Sequence, residues 1–153
     1  MKNHSILIYH HFIFVLLVVL LTMGQIGPVQ AEESLQRAAE SGDVAAQFEL
    51  GQQYKNDARS FEDFKEAYFW TRKAAEQGMA KAQFVIADMY CSGSGVTQSY
   101  IYADAWHYLA AKGGLATAEE KMETLEQLFL TPDDIKEALK VATEIERKMN
   151  SRE

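Results

Sequence analysis

Beyond residue 40 the apolar positions recur every three or four residues. The one-by-one alternation of a half-buried strand is absent. Ala46, Leu50 and Tyr54 lie four apart and predict a helix over about 43–55, its start marked by Gly42-Asp43. Phe64, Ala67, Tyr68, Thr71 and Ala75 form a stripe over about 62–77. Trp70 and Ala74 widen that stripe, as suits a helix packed on two sides, and Gly78 ends it. Further helices are predicted over about 79–91, 99–112 and 115–129. The last of these carries Leu115, Ala118, Met122, Leu125 and Phe129 on one side. Thr131-Pro132-Asp133-Asp134 is a strong helix start: a capping hydroxyl, proline at the first helical position, and acids at the positive end of the dipole. The helix that follows, about 132–149, places Ile135, Ala138, Leu139, Ala142, Ile145 and Met149 on one face and charges on the other. Glu33 to Ser41 reads as a shorter helix covering the first of the others.

These helices repeat. Arg37-Ala38-Ala39-Glu40-Ser41-Gly42 returns 36 residues later as Lys73-Ala74-Ala75-Glu76-Gln77-Gly78, and Ala46-Gln47-Phe48 as Ala82-Gln83-Phe84. Tyr54 falls on Tyr90, Trp70 on Trp106, and Ala74-Ala75 on Ala110-Ala111. Between 37–54 and 73–90, 8 of 18 positions are identical. A fixed period in this range marks a repeat array, whose units cannot bury their apolar faces alone and stack into one continuous core. The alanine pairs let backbones approach, and the tryptophans one turn earlier fill the space between helices. Gly51 and Ala87 occupy equivalent sites facing a neighbour, whereas Glu123 at the third site shows the pattern decaying.

Gly42-x3-Ala46-Gln47-x2-Leu50-Gly51-x2-Tyr54, followed by Lys65-Glu66-Ala67-x2-Trp70-x3-Ala74-Ala75-x2-Gly78, resembles a Sel-1-like repeat of the tetratricopeptide-like superfamily. The second copy matches better, with Gly93-Ser94-Gly95-Val96 between its helices. The resemblance implies an all-α fold: a short right-handed α-solenoid of stacked antiparallel helix pairs. The domain is expected over 32–149, with repeats at about 39–74 and 75–110, a degenerate one at 111–149, and a frayed tail at 150–153. It also implies a non-catalytic scaffold for protein–protein contact, periplasmic or secreted, in the bacterial envelope or with secreted or host partners; a small envelope hydrolase and a structural or regulatory subunit are the alternatives. In such architectures the first helix of each pair lines the concave side. That places Glu49, Gln52 and Gln53 of one repeat, and Val85, Asp88 and Met89 of the next, as candidates for holding a protein or extended peptide. The first repeat departs from the pattern, since Asp57 and Arg59 stand where Gly93 and Gly95 stand, so its loop is expected to differ in shape. Some exported members pair two cysteines per repeat. This chain does not, so the hydrolase activity of those relatives is not carried over.

The first 31 residues differ from the rest. Lys2 is their one charged side chain, Phe12 to Met23 is almost unbroken apolar, and Val29-Gln30-Ala31 precedes Glu32-Glu33. Small residues three and one before a break, after an apolar stretch, describe a secretory signal peptide cleaved after Ala31. The alternative is an uncleaved inner-membrane anchor through residues 6–23, close to the roughly 20 residues a span needs. The remaining 122 residues carry 14 basic and 22 acidic side chains, a balance of −8. So acidic a surface disfavours nucleic acid and anionic lipid.

Chemistry is thin. His4, His10 and His11 lie in the leader, leaving His107, so neither a metal site nor any cofactor is expected. Cys91 is the single cysteine and cannot form an internal disulfide; it falls near a helix end, with partial exposure expected. A Cys91–His107 nucleophilic dyad, the remaining enzymatic reading, would need the two within hydrogen-bond reach. Ser92-Gly93-Ser94-Gly95 lacks the Lys-Ser/Thr that completes a phosphate-binding loop. Glu119-Glu120 and Asp133-Asp134 are adjacent on helices and point apart, which leaves them solvated.

Overall fold

The computed structural model describes residue 13 and residues 30–151. The leader and the last two residues of the tail therefore lie almost wholly outside the described residues. The chain divides into two units, 1–37 and 38–153. Of the first, residues 30–37 belong to a helix, α1 (30–40), on which exposed Arg37 and Glu33 pair at 3.9 Å. The second holds the end of α1 and six further helices: α2 (Val44–Asp57), α3 (Phe61–Glu76), α4 (Ala80–Ser92), α5 (Tyr100–Lys112), α6 (Ala116–Leu128) and α7 (Pro132–Asn150). All six start and stop within two residues of the ends that periodicity predicts, and the described residues contain no strand.

Packing follows the repeat. α2 lies along α3 and α4 along α5, α3 meets α4, and α5 carries both α6 and α7. The turn between successive pairs is built three times over. Gly42, Gly78 and Gly114 adopt φ of 100°, 86° and 91°, a left-handed conformation that suits glycine. The residue after each glycine donates its N–H back to a carbonyl of the preceding helix: Asp43 to Ala38 at 3.1 Å, Met79 to Ala74 at 3.3 Å, Leu115 to Ala110 at 3.1 Å. This is the six-to-one closure of a Schellman turn.

The recurring glutamine does structural work at the same joint. Gln47 Nε2 donates to Ala39 O at 3.0 Å, and Gln83 Nε2 donates to Ala75 O at 3.2 Å. Each buried amide thus adds a side-chain bond to a carbonyl that also accepts the N–H of the turn glycine, Gly42 or Gly78. In the first repeat Gln77 completes the arrangement, donating to Gln47 Oε1 at 2.8 Å. Gly113 occupies the matching position one period on, and Gln83 Oε1 is left without a partner.

The core is rich in alanine, with two tryptophans and larger apolar residues such as Leu50, Ile86, Met89 and Leu109. Ala67, Ala74 and Ala75 are fully buried, as are Ala103 and Ala110, and Trp70 and Trp106 are 5 % and 2 % exposed. Gly51 lets α2 approach α3: a Cβ there would overlap the Thr71 hydroxyl and lie 2.9 Å from Thr71 N. The two loops inside the repeats differ, as the missing glycines imply. In the first, Ser60 and Asp63 form a reciprocal capping box, and no residue needs positive φ. In the second, Gly93 caps α4 at φ 72° and Gly95 sits at φ 70° against the Phe64–Lys65 backbone of α3.

Two expected stripes shift. On α7, Ala138 and Ala142 are buried, but Leu139 is 44 % exposed and Val141 turns inward instead, because α5 covers the shoulder on which Val141 sits. Phe129 is 53 % exposed and stacks on Tyr100, ring centroids 4.6 Å apart.

Candidate functional site

The six candidates on α2 and α4 separate into two groups. Glu49 and Gln53 are exposed, and Gln52 and Asp88 are half-buried. Val85 and Met89, at 9 % and 1 % exposure, belong to the core and offer no contact surface. The reason is position: α4 is packed by α3 on one side and α5 on the other, so its apolar face is wider than that of α2. Its line Ala82, Val85, Ile86 and Met89 fills that space. Gln52 Oε1 is buried and unpartnered.

Asp88 faces a buried polar cluster. Its Oδ1 lies 3.7 Å from Nε2 of His107, which is fully buried, tilted against the Phe84 ring at 5.2 Å, and without a hydrogen-bond partner on either nitrogen. Cys91 is half-buried near the end of α4. Burial, reinforced by Asp88 and Asp104, pushes its thiol up to about 11, against the pull of Lys121. A protonated thiol without a bond to His107 is not an activated nucleophile. Among the described residues no group of three or more His, Cys, Asp and Glu is placed to hold a metal ion. The glycine loop is committed to capping: Gly93 and Ser94 both donate to Met89 O, and Ser99 N donates to Tyr90 O.

One turn before His107, Asp104 is 2 % exposed with an unpartnered Oδ1, and burial, then the charge of Glu126, pushes its carboxyl up to about 7. The folded state therefore holds this proton more tightly than the unfolded chain, where a carboxyl titrates near about 4. Asp104 thus costs nothing below about pH 4, destabilises progressively as pH rises, and reaches its full cost above about pH 7. Asp104→Asn removes the buried charge but leaves a buried amide. We expect the stability of the variant relative to the parent to rise by about 2–4 kcal/mol from pH 4 to pH 8, ending as a net gain. Urea unfolding at both pH values checks this, and equal gains at the two would contradict it.

A different face is concave. α3, α5 and α7 enclose an open groove of about 550 Å³. Trp106, Tyr90 and Tyr102 line it from α5 and the end of α4, Arg72 and Glu76 from α3, and Val141, Ile145 and Met149 from α7. The rings form a ladder: Tyr90 stacks on Tyr102 at 5.2 Å and meets Tyr68 edge-on at 5.9 Å. The charges are paired within their own helices, Arg72 with Glu76 at 2.8 Å and Lys140 with Glu137 at 2.9 Å. Glu144 binds Arg147 at 2.8 Å and Lys148 at 3.3 Å, which pulls its carboxyl down to about 2. None of the six candidates lines this groove. The tyrosine that returns as Tyr54 and Tyr90, and the tryptophan that returns as Trp70 and Trp106, were the available signals for it, but both also read as core.

The Sel1 repeat model matches residues 44–79 and 80–115, so each unit begins with α2 or α4 and ends at the next glycine turn. A Sel1 repeat protein from Oxalobacter formigenes is 30 % identical, with a TM-score of 0.57 over 61 % of this chain and 71 % of its own. The chain belongs to the Sel1 repeat family. A protective antigen present in uropathogenic Escherichia coli strains, displaying an SLR fold, is 31 % identical with a TM-score of 0.69 over 76 % of this chain. This Sel1 chain spans only 25 % of that antigen's length. No curated protein matches it. The fold is thus a short right-handed α-solenoid, and the family is one of helical-repeat scaffolds for protein–protein interaction.

Proposed function

We propose that this Sel1 protein is an exported, non-catalytic scaffold that captures a segment of another protein in the bacterial envelope or outside the cell. The observation that carries this is the groove over α5: open to solvent, aromatic at its base, and walled on α7 by the half-buried Val141, Ile145 and Met149 among paired charges. Clefts of about 300–1,000 Å³ are where ligands dock. Export rests on the leader, with its apolar stretch and Val29-Gln30-Ala31. The resemblance of the repeats to those of the antigen supports an envelope or surface role.

The test is crosslinked capture from envelope fractions. Ile145→Arg places a charge on that wall, and capture should fall at least about tenfold with helicity unchanged, since a hot-spot loss of about 1.4 kcal/mol or more is expected. The exposed face of α2, where Glu49 and Gln53 lie open to solvent, is the second reading. Capture lost on Glu49→Arg with Gln53→Arg, and retained on Ile145→Arg, would move the site there. The intact mass of the mature protein reports export: a chain starting at Glu32 is expected.

A further inference from the structure

One buried carboxyl lies at an interface that is thinly held. Asp104 is 2 % exposed and its Oδ1 has no hydrogen-bond partner. A charge in such a place is costly, and the cost ends when water reaches it. Asp104 stands two positions from both Tyr102 and Trp106, about 200° around the helix, so it lies across α5 from the groove and from the α7 charges that line it. The titratable groups on its own side come from α6, α4 and α5 itself. α6 supplies the half-buried Glu126, whose negative charge opposes ionisation of Asp104, and Lys121, whose charge acts on the Cys91 thiol. α4 supplies Cys91, which feels both Asp104 and Asp88, and Asp88 lies 3.7 Å from His107. His107, one turn on from Asp104, is fully buried with neither nitrogen bonded. Once ionised, Asp104 would face a like charge on α6, and its Oδ1 would meet no donor.

α6 is held lightly. Of its 13 residues, Ala118 and Leu125 are the buried ones, whereas α5, also of 13 residues, buries seven. Exposed Glu123 stands where the earlier repeats have Gly51 and the fully buried Ala87, so α6 lacks the small residue through which α2 closes on α3. Leu115, at the N-cap, gives no side-chain bond to the first turn. Gly113 and Gly114 come just before it and form a joint: Gly114 is at φ 91°, and a Cβ there would meet nothing within 4 Å. At the far end, the Phe129 ring that stacks on Tyr100 is half in solvent. Elements with few buried contacts are the ones that open locally while the rest of a fold stays closed.

We propose that α6 is a pH-gated flap: with Asp104 protonated it lies on α5, and with Asp104 ionised it swings from the Gly113–Gly114 joint, hydrating the carboxylate and uncovering the face of α5 beneath it. This does not depend on the groove, which lies on the other side of α5. Burial first, and Glu126 second, push the Asp104 carboxyl up to about 7 in the closed state. A group whose proton is held more tightly in the closed state favours closure at low pH, and that contribution is lost as pH rises through the raised value. α6 is therefore closed in mild acid and progressively released above neutrality.

The test is hydrogen exchange of the whole protein, read peptide by peptide by mass spectrometry and corrected for the intrinsic effect of pH on exchange. From about pH 5.5 to about pH 8, protection of residues 116–128 should fall about tenfold or more, while α2 and α3 keep theirs. Asp104→Asn cannot ionise and should hold α6 protected across the whole range. Glu126→Gln leaves the carboxyl in place but removes the opposing charge, so the loss should shrink. Protection of α6 that ignores pH would overturn the proposal. So would a loss spread evenly over all the helices, which reports global unfolding, or the same loss in Asp104→Asn. If Asp104→Asn does not fold, Glu126→Gln decides, and an undiminished loss there sinks the flap.

Discussion

Trp106→Ala should lower the unfolding free energy by about 3–5 kcal/mol, with Trp70→Ala close behind. Both indoles are almost fully buried, and each stands beside fully buried alanines, Ala67 and Ala74 in one case and Ala103 and Ala110 in the other. Alanine neighbours have no side chain to swing into the void, so the space a tryptophan leaves stays largely open. Domains of this size hold about 5–15 kcal/mol in total, so either change removes a large share. The loss at Trp106 should be the greater. Trp106 joins the cluster that links α4, α5 and α7, whereas Trp70 is met edge-on by Phe69 at 5.1 Å and by Lys73 at 4.8 Å near the surface. In a stacked array the interface between units carries the stability, so both losses should appear in one cooperative transition. Urea unfolding followed by circular dichroism measures this. A loss under about 1 kcal/mol at either position would mean that the two indoles do not hold the stack together.

Gly95→Ala should cost about 3–5 kcal/mol, although it adds a single carbon. Two effects combine. The residue sits at φ 70°, which costs a side chain about 1–2 kcal/mol. Its Cβ would also overlap the carbonyl of Phe64 and lie within 2.8 Å of Lys65 N, and helix backbone cannot rotate away as a side chain can. Gly42→Ala provides the control. It shares the positive φ, but a Cβ there meets nothing within 4 Å, so only the strain remains. If the two variants lose equal stability, the loop does not dock on α3 as described.

How much of this was legible in the sequence depends on the range of the interaction. Helix ends are set by short-range chemistry. Thr131 and Asp134 cap one another over three residues, and Gly78 closes a turn with its own helix, so spacing located them to within two residues. The tryptophan positions were legible for the same reason, since repetition at a fixed period reports equivalent environments. Burial on the middle helix was less so. Val85 and Met89 lie on the first helix of their pair, like Gln52 and Gln53, and only the simultaneous presence of α3 and α5 decides that they are core.

The groove was the least legible feature. Its walls come from α3, α5 and α7, separated along the chain by whole helices, and its shape depends on how far apart those helices stand. The sequence by itself determined that this chain is helical, that it repeats, where each helix begins and ends, and which family it joins, because those properties follow from neighbours within a turn or from a period. Tertiary structure alone decided which faces are covered and which remain open. Exposure is set by every element packed around a residue, and no local pattern encodes the distance between helices far apart along the chain.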